Sequence, residues 1–459
     1  MNPYNDLIKK VNTEINDVSP TFCIAKWKQV TMHLQNGHTH SCHHPRTHYI
    51  PISEIKKNPT ALHNTEFKKS QRKMMLEGTR PKECDYCWRI EDLGNDNYSD
   101  RIYKSAESDW AYPYLNEIKN SSWDYDVIPS YVEVSFSNVC NFKCSYCAPQ
   151  FSSQWMEEIE QHGPYPTNNK FNNLDWLKQE NMMPIPNRDE NPYVDAFWKW
   201  WPDLYKELKY FRITGGEPLL NKNTFKVLNY IIDNPNPELN ISINTNLNPP
   251  EDLFDKFIEK VKIIIDQNKV KKIKVFTSCE AHGKQAEYIR YGLDYKVWLS
   301  NIYKLMNAVP IEITVMSTYN ILSIYSYQDF LKDMLKVKQS FKNIWDPRPP
   351  LMVDFPYLRY PEHQSIFIGS DDIYSYIEED YKFIKNNLEP FNGFTDYEAD
   401  KFKRILDLST SKPYDDTKLY QLRKDFVKFV DEHDKRRNTN FIETFPELLN
   451  FYYKIKRQL

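Results

Sequence analysis

The chain has 459 residues, 40 % of them apolar and 15 % aromatic, enough for a real core in two or three domains and too much for a largely disordered protein. Lys plus Arg number 60 against 63 Asp plus Glu, and the net charge of −3 offers no electrostatic case for nucleic-acid or anionic-membrane binding. The opening MNPYNDLIKKVNTEIN lacks an apolar core of signal-peptide length, and no run approaches the roughly 18 apolar residues of a membrane span, so a cytoplasmic protein is expected.

In chain order, the first signal is four cysteines: Cys23, Cys42, Cys84 and Cys87, the last two forming CxxC in PKECDYCW after a predicted helix over 65–77. Two distant thiols plus CxxC would satisfy tetrahedral zinc, and four thiolates can equally close a 4Fe-4S cube. Histidines crowd the same region: His33, His38, His40, His43, His44 and His48 are among the 11 of the chain. Their spacing matches no clean ligand pattern, and a hairpin around Cys42 is expected to leave several in solvent.

A strand-like alternation over 131–137 runs into VCNFKCSYC, where Cys140, Cys144 and Cys147 converge. Three thiolates on one loop can bind three irons of a 4Fe-4S cube and leave the fourth open for chemistry; a zinc loop borrowing a distant ligand is the alternative. A long connection of about 60 residues follows, and such insertions often act as lids. It holds Trp155, Trp176, Trp198, Trp200 and Trp201; for Trp198 and Trp201 the preferred reading is an amphipathic helix over 196–208 packed on the core.

Further strand-like runs at 210–214, 239–245, 272–278, 311–317 and 351–355 alternate with helical stretches such as 223–233 and 251–268. Six strands separated by helices predict parallel βα units in an α/β fold. The second strand ends in Thr214-Gly215-Gly216-Glu217-Pro218, where paired glycines let backbone approach a ligand and a carboxylate can take an ammonium group. Asn244, Thr245 and Asn246 end the third strand, as an Asn-rich turn or a pocket lining. Cys279, at the end of the fourth, reads as an apolar core residue. These motifs fall at strand C-termini, where βα loops build active sites. Amphipathic helices over 373–387, 397–408 and 418–435 are expected to cap the bottom of the barrel or contact a partner.

The CxxxCxΦC spacing, with Tyr146 as the aromatic, followed about seventy residues later by GGEP, resembles the radical S-adenosylmethionine (SAM) superfamily over about 130–360. The resemblance implies a partial (β/α)6 TIM-like barrel whose Cys140, Cys144 and Cys147 ligate a 4Fe-4S cluster. It further implies Gly215, Gly216 and Glu217 at the SAM amino group, Tyr146 near the adenine, and Ser278 with Glu280 at the ribose. Arg290 would pair with the SAM carboxylate; a helix-surface arginine in an ion pair is the alternative. The implied reaction is reductive cleavage of SAM to a 5′-deoxyadenosyl radical, which abstracts hydrogen from a peptide, protein or small polar substrate in an oxidative modification. An external one-electron donor such as flavodoxin or ferredoxin is the implied partner.

The run Cys23-x13-Gly37-x4-Cys42 resembles half of the auxiliary-cluster signature of SPASM and twitch domains, in which Gly permits a hairpin turn. It implies a second 4Fe-4S cube on Cys23, Cys42, Cys84 and Cys87, although such domains usually follow the barrel and this one precedes it. The expected division is a Cys-rich auxiliary region at 1–125, the barrel at 126–360 and a helical extension at 361–459. The alternatives are a radical SAM epimerase with Cys279 as the spare hydrogen donor, and a zinc-stabilised interaction protein without turnover.

Overall fold

The computed structural model describes residues 3–94, 97–341, 350–370 and 372–459. Its strands are β1 (Gln29–His33), β2 (His38–His40), β3 (His48–Tyr49), β4 (Tyr131–Ser135), β5 (Lys143–Cys144), β6 (Tyr210–Thr214), β7 (Asn236–Asn244), β8 (Val270–Ser278), β9 (Arg290–Tyr291), β10 (Glu312–Met316) and β11 (Leu351–Asp354). Nine form one sheet in the order β11-β10-β8-β7-β6-β4-β1-β2-β3, and β5 pairs with β9. From β4 to β11 every neighbouring pair in the sheet is parallel.

Strand alternation explains why that sheet has one apolar and one polar face. Val132, Val134, Phe211, Ile213, Ile241, Ile243, Val275 and Val315 are buried in the core that also takes Phe254, Phe257, Val261 and Ile264 from the crossover helix Glu251–Asp266. The intervening residues are polar and bond across strands: Thr214 Oγ1 donates to Glu133 Oε1 at 3.3 Å and Arg212 Nε to Asn244 Oδ1 at 3.0 Å. The result is the expected α/β architecture, a six-stranded partial TIM-like barrel with a helical C-terminal extension.

The N-terminal segment continues this sheet. β1 lies parallel beside β4, with Thr31 opposite Glu133 and His33 opposite Ser135, and β2 returns antiparallel. Val30 and Met32 alternate with polar neighbours and enter the barrel core, while Ile8, Val11, Ile15, Trp27, Trp88 and Trp110 build a second core behind them. Gly37 turns β1 into β2 at φ +69, and a Cβ there would stand 2.1 Å from the Tyr193 ring. Of the six histidines, His43 is exposed as expected and the others are not. His38 is buried, and His33 stacks on His40 with their Nε2 atoms 3.2 Å apart. The reason is that β1 and β2 are interior strands, covered on both edges by β4 and β3.

The connection from β5 to β6 folds into helices Ser153–His162, Leu174–Gln179 and Pro192–Glu207. Trp155, Trp200 and Trp201 are buried and Trp198 stacks parallel to Phe136, as core packing requires, whereas Trp176 is exposed. The last long helix, Asp416–Arg437, does not cap the strand starts. Its buried face, including Leu422, Phe426, Phe429, Val430 and His433, lies against Tyr165, Phe171 and Tyr288, and its final turn reaches the cysteine loop that follows β4. No helix of the described residues is long and apolar enough to cross a membrane.

Candidate active site

β4 ends at Ser135, and the chain then turns through the loop that carries Cys140, Cys144 and Cys147. The Gly-Gly turn after β6 interlocks with it: Gly216 N donates to Ser137 O at 3.2 Å and Glu217 N to Val139 O at 2.6 Å. A Cβ on Gly216 would lie 2.2 Å from Val139 O, and Gly215, at φ +115, would place one 2.6 Å from Ser135 Oγ. The glycines therefore serve a loop-on-loop contact before they serve any ligand.

N–H donors stand at two of the three sulfurs, Phe142 N 3.4 Å from Cys140 Sγ and Arg290 Nη1 3.6 Å from Cys144 Sγ. Burial pushes all three thiols up, Cys147 to about 12, and each of Cys140 and Cys147 is raised further by the charge of Cys144. Three mutually sensing, part-buried soft donors are a set that suits iron of a cluster. Cys279 is apart from them, fully buried, its thiol donating to Ala281 O at 3.3 Å.

Glu217 is buried, and its carboxylate accepts from Leu219 N at 2.9 Å, Thr245 Oγ1 at 2.7 Å and Asn246 N at 2.6 Å. It fastens the loops after β6 and β7 to each other, and burial pushes it up to about 7. Asn246 completes the lock by donating to Asn141 Oδ1 of the cysteine loop at 2.8 Å.

Across the β5–β9 ladder, Cys144 is opposite Arg290. The Arg290 guanidinium donates to Glu280 Oε2 at 3.0 and 2.6 Å and to Tyr146 OH at 2.5 Å, and Tyr146 OH donates to the same carboxylate at 3.1 Å. Arg290 is thus no surface residue: it is 6 % exposed, in a strand that follows the helix Gly283–Ile289. Burial opposes its charge, but Glu280, Tyr146 and Cys144 outweigh that and hold it well above the ordinary arginine range. Among the described residues Glu280 Oε1, also buried, has no partner. Ser278 ends β8, part-buried on the polar face.

Two residues to which the sequence reading gave no role at the site brace this loop. Arg437 Nη1 donates to Lys143 O at 2.7 Å, and its other nitrogens hold Glu158 at 3.0 and 3.2 Å. Trp155 Nε1 donates to Cys144 O at 2.8 Å from the same helix as Glu158.

In the N-terminal region Cys23, Cys42, Cys84 and Cys87 line one small cavity, together with Met75 and Trp88. The turn Lys82–Cys84 leads into the helix Asp85–Glu91, which sets the two CxxC sulfurs three residues apart on one face. Burial pushes Cys23 up to about 12 and Cys84 and Cys87 to about 11, each with a contribution from another thiol of the group. Among the described residues no three His, Cys, Asp or Glu side chains are gathered tightly enough for a single metal ion. Cys42 follows β2, which runs back toward the strand starts, whereas Cys140 lies beyond a strand end. The His33–His40 pair stands between, with His40 Nδ1 donating to Cys42 O and His33 beside Ser135.

A barrel of this order with three thiols past its first strand defines a class, and residues 134–335 match the family model of the Radical SAM superfamily. Among curated proteins the chain resembles the GTP 3′,8-cyclase of Sulfurimonas denitrificans, 24 % identical over 146 residues, which is 31 % of this chain and 36 % of that protein. The chain thus spans about a third of the length of that relative. Among solved structures, that of Streptococcus suis SuiB aligns at 14 % identity with a TM-score of 0.33, covering 79 % of this chain and 69 % of that one.

Proposed function

We propose that this protein is a SAM-cleaving radical enzyme in which Cys140, Cys144 and Cys147 hold a 4Fe-4S cube and Cys23, Cys42, Cys84 and Cys87 hold a second. The observation that carries the reading is three part-buried thiols on one loop past the end of the first barrel strand, with that loop locked onto the Gly215–Gly216 turn. When bound, the first cube supplies one electron that splits SAM into methionine and a 5′-deoxyadenosyl radical, which takes a hydrogen atom from the substrate.

The chain's own task is positioning. Glu217 keeps the glycine turn against the cysteine loop, at the place assigned to the SAM amino group. Arg290 brings a fixed positive charge to the Cys144 edge, where the SAM carboxylate is expected. Glu280 Oε1, a buried acceptor without a partner, suits a ribose hydroxyl, with Ser278 at the adjoining strand end and Tyr146 toward the adenine. The polar inner face of the sheet favours a polar substrate, a peptide, protein side chain or small metabolite, modified oxidatively. An external carrier such as flavodoxin or ferredoxin would deliver the electron, in the cytoplasm. In this reading residues 1–125 serve the second cube, 126–360 the chemistry, and 361–459 brace the loop.

Four thiols lining one cavity are a ligand set for a cube or for tetrahedral zinc, and the resemblance to auxiliary-cluster domains favours the cube. The buried, hydrogen-bonded Cys279 lends nothing to an epimerase. Anaerobically reconstituted protein should be brown, hold about eight irons, and release 5′-deoxyadenosine with SAM and dithionite. Cys144→Ala should abolish that release; colourless protein with stoichiometric zinc would refute the proposal.

A further inference from the structure

β11 is the last strand of the sheet, and its outer edge is closed by side chains. Leu351 O accepts from Lys338 Nζ at 2.8 Å and Val353 N donates to Glu398 Oε1 at 2.7 Å, and these two charges, both fully buried, pair with each other at 2.9 Å. Glu398 belongs to the helix Asp396–Ser409, which lies along the margin where a closed barrel would have its next strand. That edge cannot take a further chain by backbone pairing.

From Asp354, where β11 ends, the strand's tail and this helix flank a cavity of about 400 Å³. Three cations line it, Arg359 from the tail and Lys401 and Arg404 from the helix, against one carboxylate, Asp354. Lys401 Nζ stands 3.4 Å from Asp354 Oδ1, which leaves the two arginines as excess positive charge. Both are exposed, and among the described residues neither has a carboxylate partner; Arg359 lies over the Tyr357 ring at 5.1 Å. The floor is apolar, with Phe355 4 % and Ile405 1 % exposed and Leu408 beside them.

Lys401, Arg404, Ile405 and Leu408, at i, i+3, i+4 and i+7, run along one face of the helix for about 10 Å. That length matches about three residues of extended chain. A single phosphate would occupy one point of such a groove and leave its apolar floor bare, whereas a peptide offers carboxylates to the arginine forks and an apolar side chain to the floor. The groove opens past a strand C-terminus, the same end of the barrel as the cysteine loop and the Gly215–Gly216 turn. We infer that it docks an acidic, extended peptide segment of the substrate, with Arg359 and Arg404 as specificity-determining residues. This rests on the function proposed above and narrows its substrate to an acidic peptide.

The test is fluorescence anisotropy on reconstituted full-length protein with a labelled peptide, Glu-Leu-Glu-Glu-Leu-Glu, its counterpart with Gln for every Glu, and inorganic phosphate as competitor. The acidic peptide should bind, and the Gln peptide should bind about tenfold more weakly or worse. Arg359→Glu and Arg404→Glu should each weaken the acidic peptide about tenfold, because each reversal turns an attraction into a repulsion, and Arg404→Lys should keep most of the affinity. Both side chains are exposed, and an unchanged thermal midpoint verifies that the variants are folded. Equal binding of the two peptides, unchanged binding in both Glu variants, or displacement by phosphate at the peptide's own concentration would overturn this inference alone. Charge-dependent peptide binding on protein that releases no 5′-deoxyadenosine would uphold the groove as a peptide site and refute the enzyme.

Discussion

Arg437 and Lys143 are 294 positions apart, yet the guanidinium Nη1 donates to the Lys143 carbonyl at 2.7 Å, one residue before Cys144. Arg437→Met should leave buried Glu158 with only Lys143 as a cationic partner. The expected loss is about 3–5 kcal/mol of stability, as for other broken buried ion pairs. Chemical denaturation checks the loss, and faster amide exchange over 143–147 checks its location.

Removing Arg290 attacks the same loop from the other side. Arg290→Ala leaves the Glu280 carboxylate buried and without its cation, and the expected cost is again about 3–5 kcal/mol. Glu280→Gln in that background should recover part of it, which a double-mutant cycle measures. Additive losses would show that the two side chains are not coupled.

Gly216→Ala should be worse than its single methyl suggests. The new Cβ would meet Val139 O at 2.2 Å, forcing backbone apart, whereas at Gly163 a Cβ meets nothing within 4 Å. Gly163→Ala, at φ +73, should cost about 1–2 kcal/mol of backbone strain. Gly216→Ala should exceed it and lower the iron retained after reconstitution, read by metal analysis and a thermal midpoint.

Acid should unfold the protein through its buried histidines. Burial pushes His363 down to about 3 and His433 to about 4, whereas an unfolded histidine titrates at about 6.5. Between those values the unfolded chain binds more protons than the folded one, so stability is full above about 6.5 and falls as pH drops. Each histidine contributes about 1.4 kcal/mol per pH unit across its window. His363, packed between Phe171 and Phe429 with Nε2 unpartnered, offers the cleanest probe. His363→Phe should flatten the acid limb of a denaturation series from pH 7 to 4; an unchanged slope would reject the account.

The barrel strands were legible because period-two alternation and helix-period stripes separate cleanly: the expected run 210–214 is β6, and 272–278 lies within β8. Cys140, Cys144 and Cys147, and the four N-terminal cysteines, declared themselves by spacing, and the fold brings each set together. Other features were hidden for identifiable reasons. Glu280 and Arg290 read as two separate ligand contacts because their ion pair forms only when β9 folds back onto β5. Lys68 and Arg72 look like the wet side of a helix, and only tertiary packing reveals that this side faces inward. The alternation Gln29-Val30-Thr31-Met32-His33 was a strand signal in plain view, short enough to be passed over beside the cysteines.

The continuity of β1 with β4 bears on how far the protein can be shortened. A fragment cut to 126–335, which keeps β4 and the family-matching stretch 134–335, would bare the flank of the first barrel strand that β1 covers and lose β11 at the opposite margin. Open strand flanks recruit other chains. Such a fragment should self-associate in solution, and the segment ahead of the barrel is in that sense the protein's guard against sticking to its own copies.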